Sequence, residues 1–159
     1  MSSRHRHSIV LPALVVLAVG YYVAHTGQSS AQAAGQPATS AQVQQWISQA
    51  DTVLEANGTP ASALNDSDTA LIIDHESSGN PGAVNRADSN AAAGDPSEGL
   101  MQTTGHTFAA YCLPGHCGDI TDPVDNIAAG EHYALARYGS LANVPGVRSV
   151  HDGGRYIGY

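Results

Sequence analysis

One carboxylate in this chain stands where a proton could be handed to a substrate. Glu76 follows the apolar run Ala70-Leu71-Ile72-Ile73 and precedes Ser77-Ser78-Gly79-Asn80-Pro81. If this stretch is helical, Ile72 and Ile73, four and three positions earlier, share a face with Glu76 and carry it toward the core. Gly79 and Pro81 end the helix just beyond. Burial disfavours the ionised carboxylate, and so does the negative end of a helix dipole, so both should raise its pKa. A carboxylic acid still protonated near neutral pH can protonate a leaving oxygen. An ordinary exposed glutamate in a last helical turn fits the same residues.

Other chemistries are weaker. His75-Glu76 opens the zinc pattern H-E-x-x-H, but Gly79 stands where the second histidine belongs. Ser77 beside His75 is no nucleophile arrangement, because neighbouring helical side chains point apart and no elbow motif surrounds it. His106, His116, His132 and His151 show no ligand spacing. Cys112 and Cys117, the two cysteines present, flank Leu-Pro-Gly-His and are expected to form a disulfide in an exported chain. A metal site at Cys112, His116 and Cys117 is the alternative, and it lacks a fourth ligand.

The chain of 159 residues has room for one domain plus a leader. Residues 1–33 read as that leader: Arg4-His5-Arg6-His7, an apolar run from Ile9 to Ala24, then the small-x-small pattern Ala31-Gln32-Ala33. It is either a cleaved signal peptide or an uncleaved anchor, which would be the chain's one membrane attachment. A secreted or envelope location follows. The net charge is −8; loss of Arg4 and Arg6 with the leader leaves four Arg and no Lys against fourteen acids, a charge of −10. Such a chain has no basic clusters with which to bind nucleic acid or anionic lipid. A neutral or weakly charged polymer is the better partner.

Residues 34–40 read as linker, and 41–159 as one domain. Val43, Trp46, Ile47, Ala50, Val53 and Leu54 recur at helical spacing, closed by Asn57-Gly58. Asp66 or Ser67 can cap the helix that carries Glu76. Residues 80–98 have little periodicity and read as a loop over a cleft; a short helix follows near Thr107–Tyr111. The last helix has Asp122 as cap, Pro123 first and Gly139 beyond its end. Its inner face would be Ile127, Gly130, Ala134, Leu135 and Tyr138, with Gly130 admitting a neighbouring helix. The tail from Val144 is Gly-rich and carries no assigned element. The fold class is α+β, mostly α, with a small irregular or β insert.

Three stretches together resemble the transglycosylase SLT family, the lysozyme-like catalytic domain of lytic transglycosylases. They are Glu76-Ser77-Ser78-Gly79-Asn80-Pro81-Gly82-Ala83, Gly99-Leu100-Met101-Gln102, and Asn126-Ile127-Ala128-Ala129-Gly130-Glu131-His132-Tyr133. The resemblance implies that Glu76 is both acid and base in cleaving the bond between N-acetylmuramic acid and N-acetylglucosamine of peptidoglycan, giving 1,6-anhydro ends. It implies cleft-lining roles for Gln102, the backbone around Met101 and Tyr133; Ser77 and Asn85 are further substrate-binding candidates, Asn85 standing where the family usually has a serine. No cofactor or metal is implied, and a monomer is expected. Two departures stand out: a longer segment before Gly99, whose Asp88, Asp95 and Glu98 could supply a second carboxylate for hydrolysis, and the absence of the family's C-terminal A-Y-N-A-G. Tyr156 is the candidate for the tyrosine that normally contacts the catalytic glutamate.

Overall fold

A computed structural model describes Ala38 and residues 40–158; the leader reading and most of the linker lie outside the described residues. Helix α1 (Ser40–Ala56) forms where the apolar period predicts it, and Val43, Ile47, Ala50 and Leu54 make its buried stripe. Each fully buried Ile or Leu contributes roughly 1.5–3 kcal/mol. The stripe packs chiefly on α5 (Pro123–Tyr138) and also on α2 (Asp66–Ser77). No described helix is long and apolar enough to cross a membrane.

The cap of α2 is Asn65, one residue earlier than expected: its side chain accepts from the Asp68 amide at 3.1 Å. Asn65 keeps an extended backbone, as the cap position requires, while Asp66 is already helical. At the other end Ser78 adopts the left-handed conformation, φ 52°, and its amide returns to the Asp74 carbonyl.

Residues 80–98 are not a plain loop. They hold β1 (Val84–Asn85), the one-turn α3 (Ser89–Ala92) and β2 (Ser97–Glu98), and β3 (Thr103–Thr104) completes an antiparallel sheet in the order β1-β2-β3. Val84 lies opposite Glu98, and Ser97 opposite Thr104. Two-residue strands are too short to show alternation, which is why the sequence concealed them. Helix α4 (Gly105–Tyr111) is capped by Thr104, and Cys112 and Cys117 beyond it are joined by a disulfide. With both sulfurs so used, no thiolate remains to ligate a metal, and His116 instead meets Asp125 at 2.6 Å. The fold is α+β, mostly α, and lysozyme-like.

Helix α5 runs between the expected caps, with Asp122 accepting from the Val124 and Asp125 amides and Gly139 at φ 80°. Its burial is wider than one stripe: Asn126 through Glu131 are all buried, together with Ala134. Leu135 and Tyr138 sit at its margin, half-buried. Gly130 admits the side chain of Met101 rather than a helix, since a Cβ there would lie 2.7 Å from Met101 Cβ. Gly130→Ala should gain about 1 kcal/mol of helix propensity and lose 1–3 kcal/mol, roughly, to overpacking. Net destabilisation, read as a lowered denaturant midpoint, is the expected result; a raised midpoint would mean that Met101 repacks freely.

The tail also contains an element the sequence did not reveal, α6 (Pro145–His151). It is seven residues long and inserts Val147 into the core beside Val144. So short an apolar signal is lost among the surrounding glycines.

Candidate active site

Glu76 occupies the last turn of α2, half-buried, as the Ile72-Ile73 spacing requires. Burial is the main influence on its carboxyl and raises its pKa above the ordinary range; the Tyr156 hydrogen bond and then His75 act in the opposite direction. The Tyr156 phenol donates to Glu76 Oε1 at 2.7 Å. Burial foremost, then the carboxylate, keeps that phenol protonated by raising its own pKa. His75 stacks on the same ring, with centroids 4.5 Å apart and planes within 2°. Glu76 is therefore a carboxyl group biased toward its protonated form, with one fixed donor ready to stabilise the charge once the proton leaves.

A tight turn joins β2 to β3. Gln102 is left-handed at φ 49°, and its side-chain amide donates to the carbonyls of Gly99 at 2.9 Å and Ala83 at 3.2 Å. Those bonds tie the turn to the segment entering β1. Met101 is fully buried and fills the space over Gly130, so its side chain serves the core and does not line a cleft. The turn is clamped from α5 by buried Asn126, whose Oδ1 accepts from the Met101 amide at 2.7 Å. The Asn126 amide donates to the Glu98 and Ile120 carbonyls and to Thr103 Oγ1. Gly99 has no room for a side chain against Asn126. A buried asparagine with both ends satisfied holds sheet, turn and helix in one register. In the sequence the signal for this role is only a polar residue at the head of the Asn126-Ile127 motif, with nothing to name its partners.

Ser77 Oγ donates back to the Ile73 carbonyl at 3.0 Å, an internal helix bond. Asn85, in β1, donates to Asp88 at 2.9 Å and accepts from the Ala87 amide. Asp88 also caps α3 through the Ala91 amide. Asp95 accepts from the Gly105 amide at 2.7 Å and from His106 Nδ1 at 2.7 Å; the His106 contact leads in lowering its pKa. Two of the three acids of the longer segment are thus engaged in shaping it, and the third, Glu98, stands in β2 next to the Gly99 turn. Tyr133, half-buried, meets Tyr111 and Tyr138 edge to face at 5.3 and 6.2 Å.

Residues 56–150 match the family model described as the transglycosylase SLT domain. Over 133 residues, 84% of its length, the chain is 48% identical to "Uncharacterized protein YqbO" of Bacillus subtilis (strain 168), and it spans only 8% of that protein. No solved structure matches the chain. The family match begins at the last residue of α1, yet α1 supplies Ile47 and Leu54 to the same core.

Proposed function

From the premise that this chain belongs to the transglycosylase SLT domain family, we propose that it cleaves the glycan strands of peptidoglycan without adding water. The observation that carries this is Glu76 itself: a half-buried carboxyl with a raised pKa, held by one phenol. Its proton goes to the oxygen that links C1 of N-acetylmuramic acid to N-acetylglucosamine, and the C1–O bond breaks. The same sugar's 6-hydroxyl oxygen then bonds to C1, and the hydroxyl proton passes to Glu76, which is restored. Tyr156 stabilises the transient carboxylate between the two transfers. An internal hydroxyl at high effective concentration removes the need for a second carboxylate to activate water or to attack C1.

The surroundings support this reading. Asp88 and Asp95 are engaged in cap and turn contacts that shape their own segment. In this reading Tyr133, Gln102 and Asn85 contact the glycan, and the Asn85 amide is held by Asp88. Ser77 acts through its helix turn, and Met101 through its backbone. The domain works as a monomer in the secreted or envelope compartment, requires no metal or cofactor, and takes a neutral or weakly charged polymer.

The test is mass spectrometry of the sugars that the protein from Ala34 onward releases from purified peptidoglycan. Anhydro ends, lighter by one water than reducing ends, are expected. Reducing ends would mean a muramidase, with Glu98 as the first residue to suspect of activating water. No release, with retained binding to wall material, would mean a wall-binding protein that keeps the fold without turnover.

A further inference from the structure

Tyr156 lies beyond the last helix, in a stretch of irregular chain, yet its phenol is brought to Glu76 within a normal hydrogen-bond distance. The ring is held on two sides. On one, His75 stacks parallel to it. On another, Gly146 in the first turn of α6 leaves a gap that the ring fills; a Cβ at this position would collide with ring carbons Cδ2, Cε2 and Cζ.

The tail that delivers the ring is tied back to the same helix. Gly154 donates to the Ser149 carbonyl at 2.7 Å, Ser149 Oγ donates to the Arg155 carbonyl at 2.6 Å, and Gly146 donates to the Gly158 carbonyl at 2.8 Å. Gly146 does not use a left-handed backbone, so conformational freedom is not what glycine supplies here. Glycine also weakens a helix relative to alanine. What the site gains is the missing side chain.

We propose that Gly146 and His75 are positioning residues that clamp the Tyr156 ring from two sides so that its phenol meets Glu76. Glu76 then has a donor for its ionised form that does not depend on substrate. The consequence for turnover rests on the function proposed above; the clamp itself does not.

The test asks what removal of the phenol oxygen, Tyr156→Phe, does to the Glu76 titration in four backgrounds, followed by carbon NMR of the carboxyl. In the wild type it should move the midpoint upward, because the ionised form loses its donor. In Gly146→Ala the ring is displaced and the phenol no longer reaches, so Tyr156→Phe should change nothing further. In His75→Ala the effect should shrink, and in His75→Phe, which keeps a flat ring, it should return. His75 is exposed, so its variants keep the fold and carry the test if Gly146→Ala does not fold. Run on sugar release, Tyr156→Phe should slow the wild type roughly tenfold and the Gly146→Ala protein hardly at all.

A Tyr156→Phe effect as large in Gly146→Ala as in the wild type would overturn the clamp at Gly146. Equal behaviour of His75→Phe and His75→Ala would overturn it at His75. Failure of the two readings is separable. A wild type that cuts no wall but shows the titration pattern would refute the proposed function alone, and a wall-cutting protein without that pattern would refute the clamp alone.

Discussion

Glu76→Gln is expected to reduce sugar release from peptidoglycan on the order of a thousandfold, with the fold intact. The amide keeps the volume of the carboxyl and can still accept from the Tyr156 phenol, so packing around α2 has no reason to change. What it lacks is the transferable proton, and in the proposed reaction the same group gives the first proton and takes the second. Loss of both steps is why the effect should exceed that of a single misplaced contact. The wild-type rate should also fall as pH rises through the raised Glu76 pKa, since the proton donor disappears above it. Matched thermal melts of the two proteins, with rates measured on the same peptidoglycan, decide the matter. A variant within tenfold of the wild type would remove Glu76 from the chemistry.

Raising the pH from about 5 to about 9 should destabilise the domain, and the cause lies in a carboxyl that takes no part in the reaction. Glu131 on α5 is completely buried, and Thr69 Oγ1 on α2 donates to its Oε1. Taken as carboxylates, Glu131 Oε2 and Asp51 Oδ1 of α1 are both buried acceptors without a donor. A proton on Glu131 supplies the donor and closes a hydrogen bond to Asp51. Burial foremost pushes Glu131 up to about 8, with the charges of Asp51 and Asp66 adding to it and Thr69 opposing. Asp51 is raised to about 6, again first by burial and then by Asp66.

The sign follows from linkage. The unfolded chain releases the Glu131 proton near 4.5 and the folded chain holds it to about 8, so stability is greatest below the first value and is lost as pH climbs to the second. Asp51 contributes in the same direction between its ordinary 3.8 and about 6. The loss between about pH 5 and about pH 9 should be on the order of 5 kcal/mol, roughly 15–20 °C in melting temperature for a domain of this size. Glu131→Gln keeps an acceptor for Thr69 and a permanent donor for Asp51, so its melting temperature should depend far less on pH. Equal pH slopes in the two proteins would show that the buried pair does not govern stability.

Most of what depends on neighbours in sequence was legible in the sequence, the cap of α2 at Asn65 being the exception. The Ile72-Ile73-Glu76 spacing determines which way Glu76 faces, because residues three and four apart share a helix face. Asp122, Pro123 and Gly139 delimit α5 because capping groups act on the adjacent turn. Cys112 and Cys117, five residues apart, needed only a turn to meet. The three motif stretches identified the family for the same reason: each is a local pattern of residue types.

The site's remaining parts were decided by tertiary structure. Tyr156 reaches Glu76 from 80 residues away, Asn126 grips Met101 across 25, and Thr69 meets Glu131 across 62. No periodicity records such a pairing, because it depends on where whole helices cross. Gly130 and Gly146 each read as a small residue in a helix, and only packing reveals that one makes room for Met101 and the other for Tyr156. The two-residue strands and the seven-residue α6 were hidden for a related reason. They are shorter than the periods that would announce them, and contacts with the rest of the chain, rather than local preference, hold them in place.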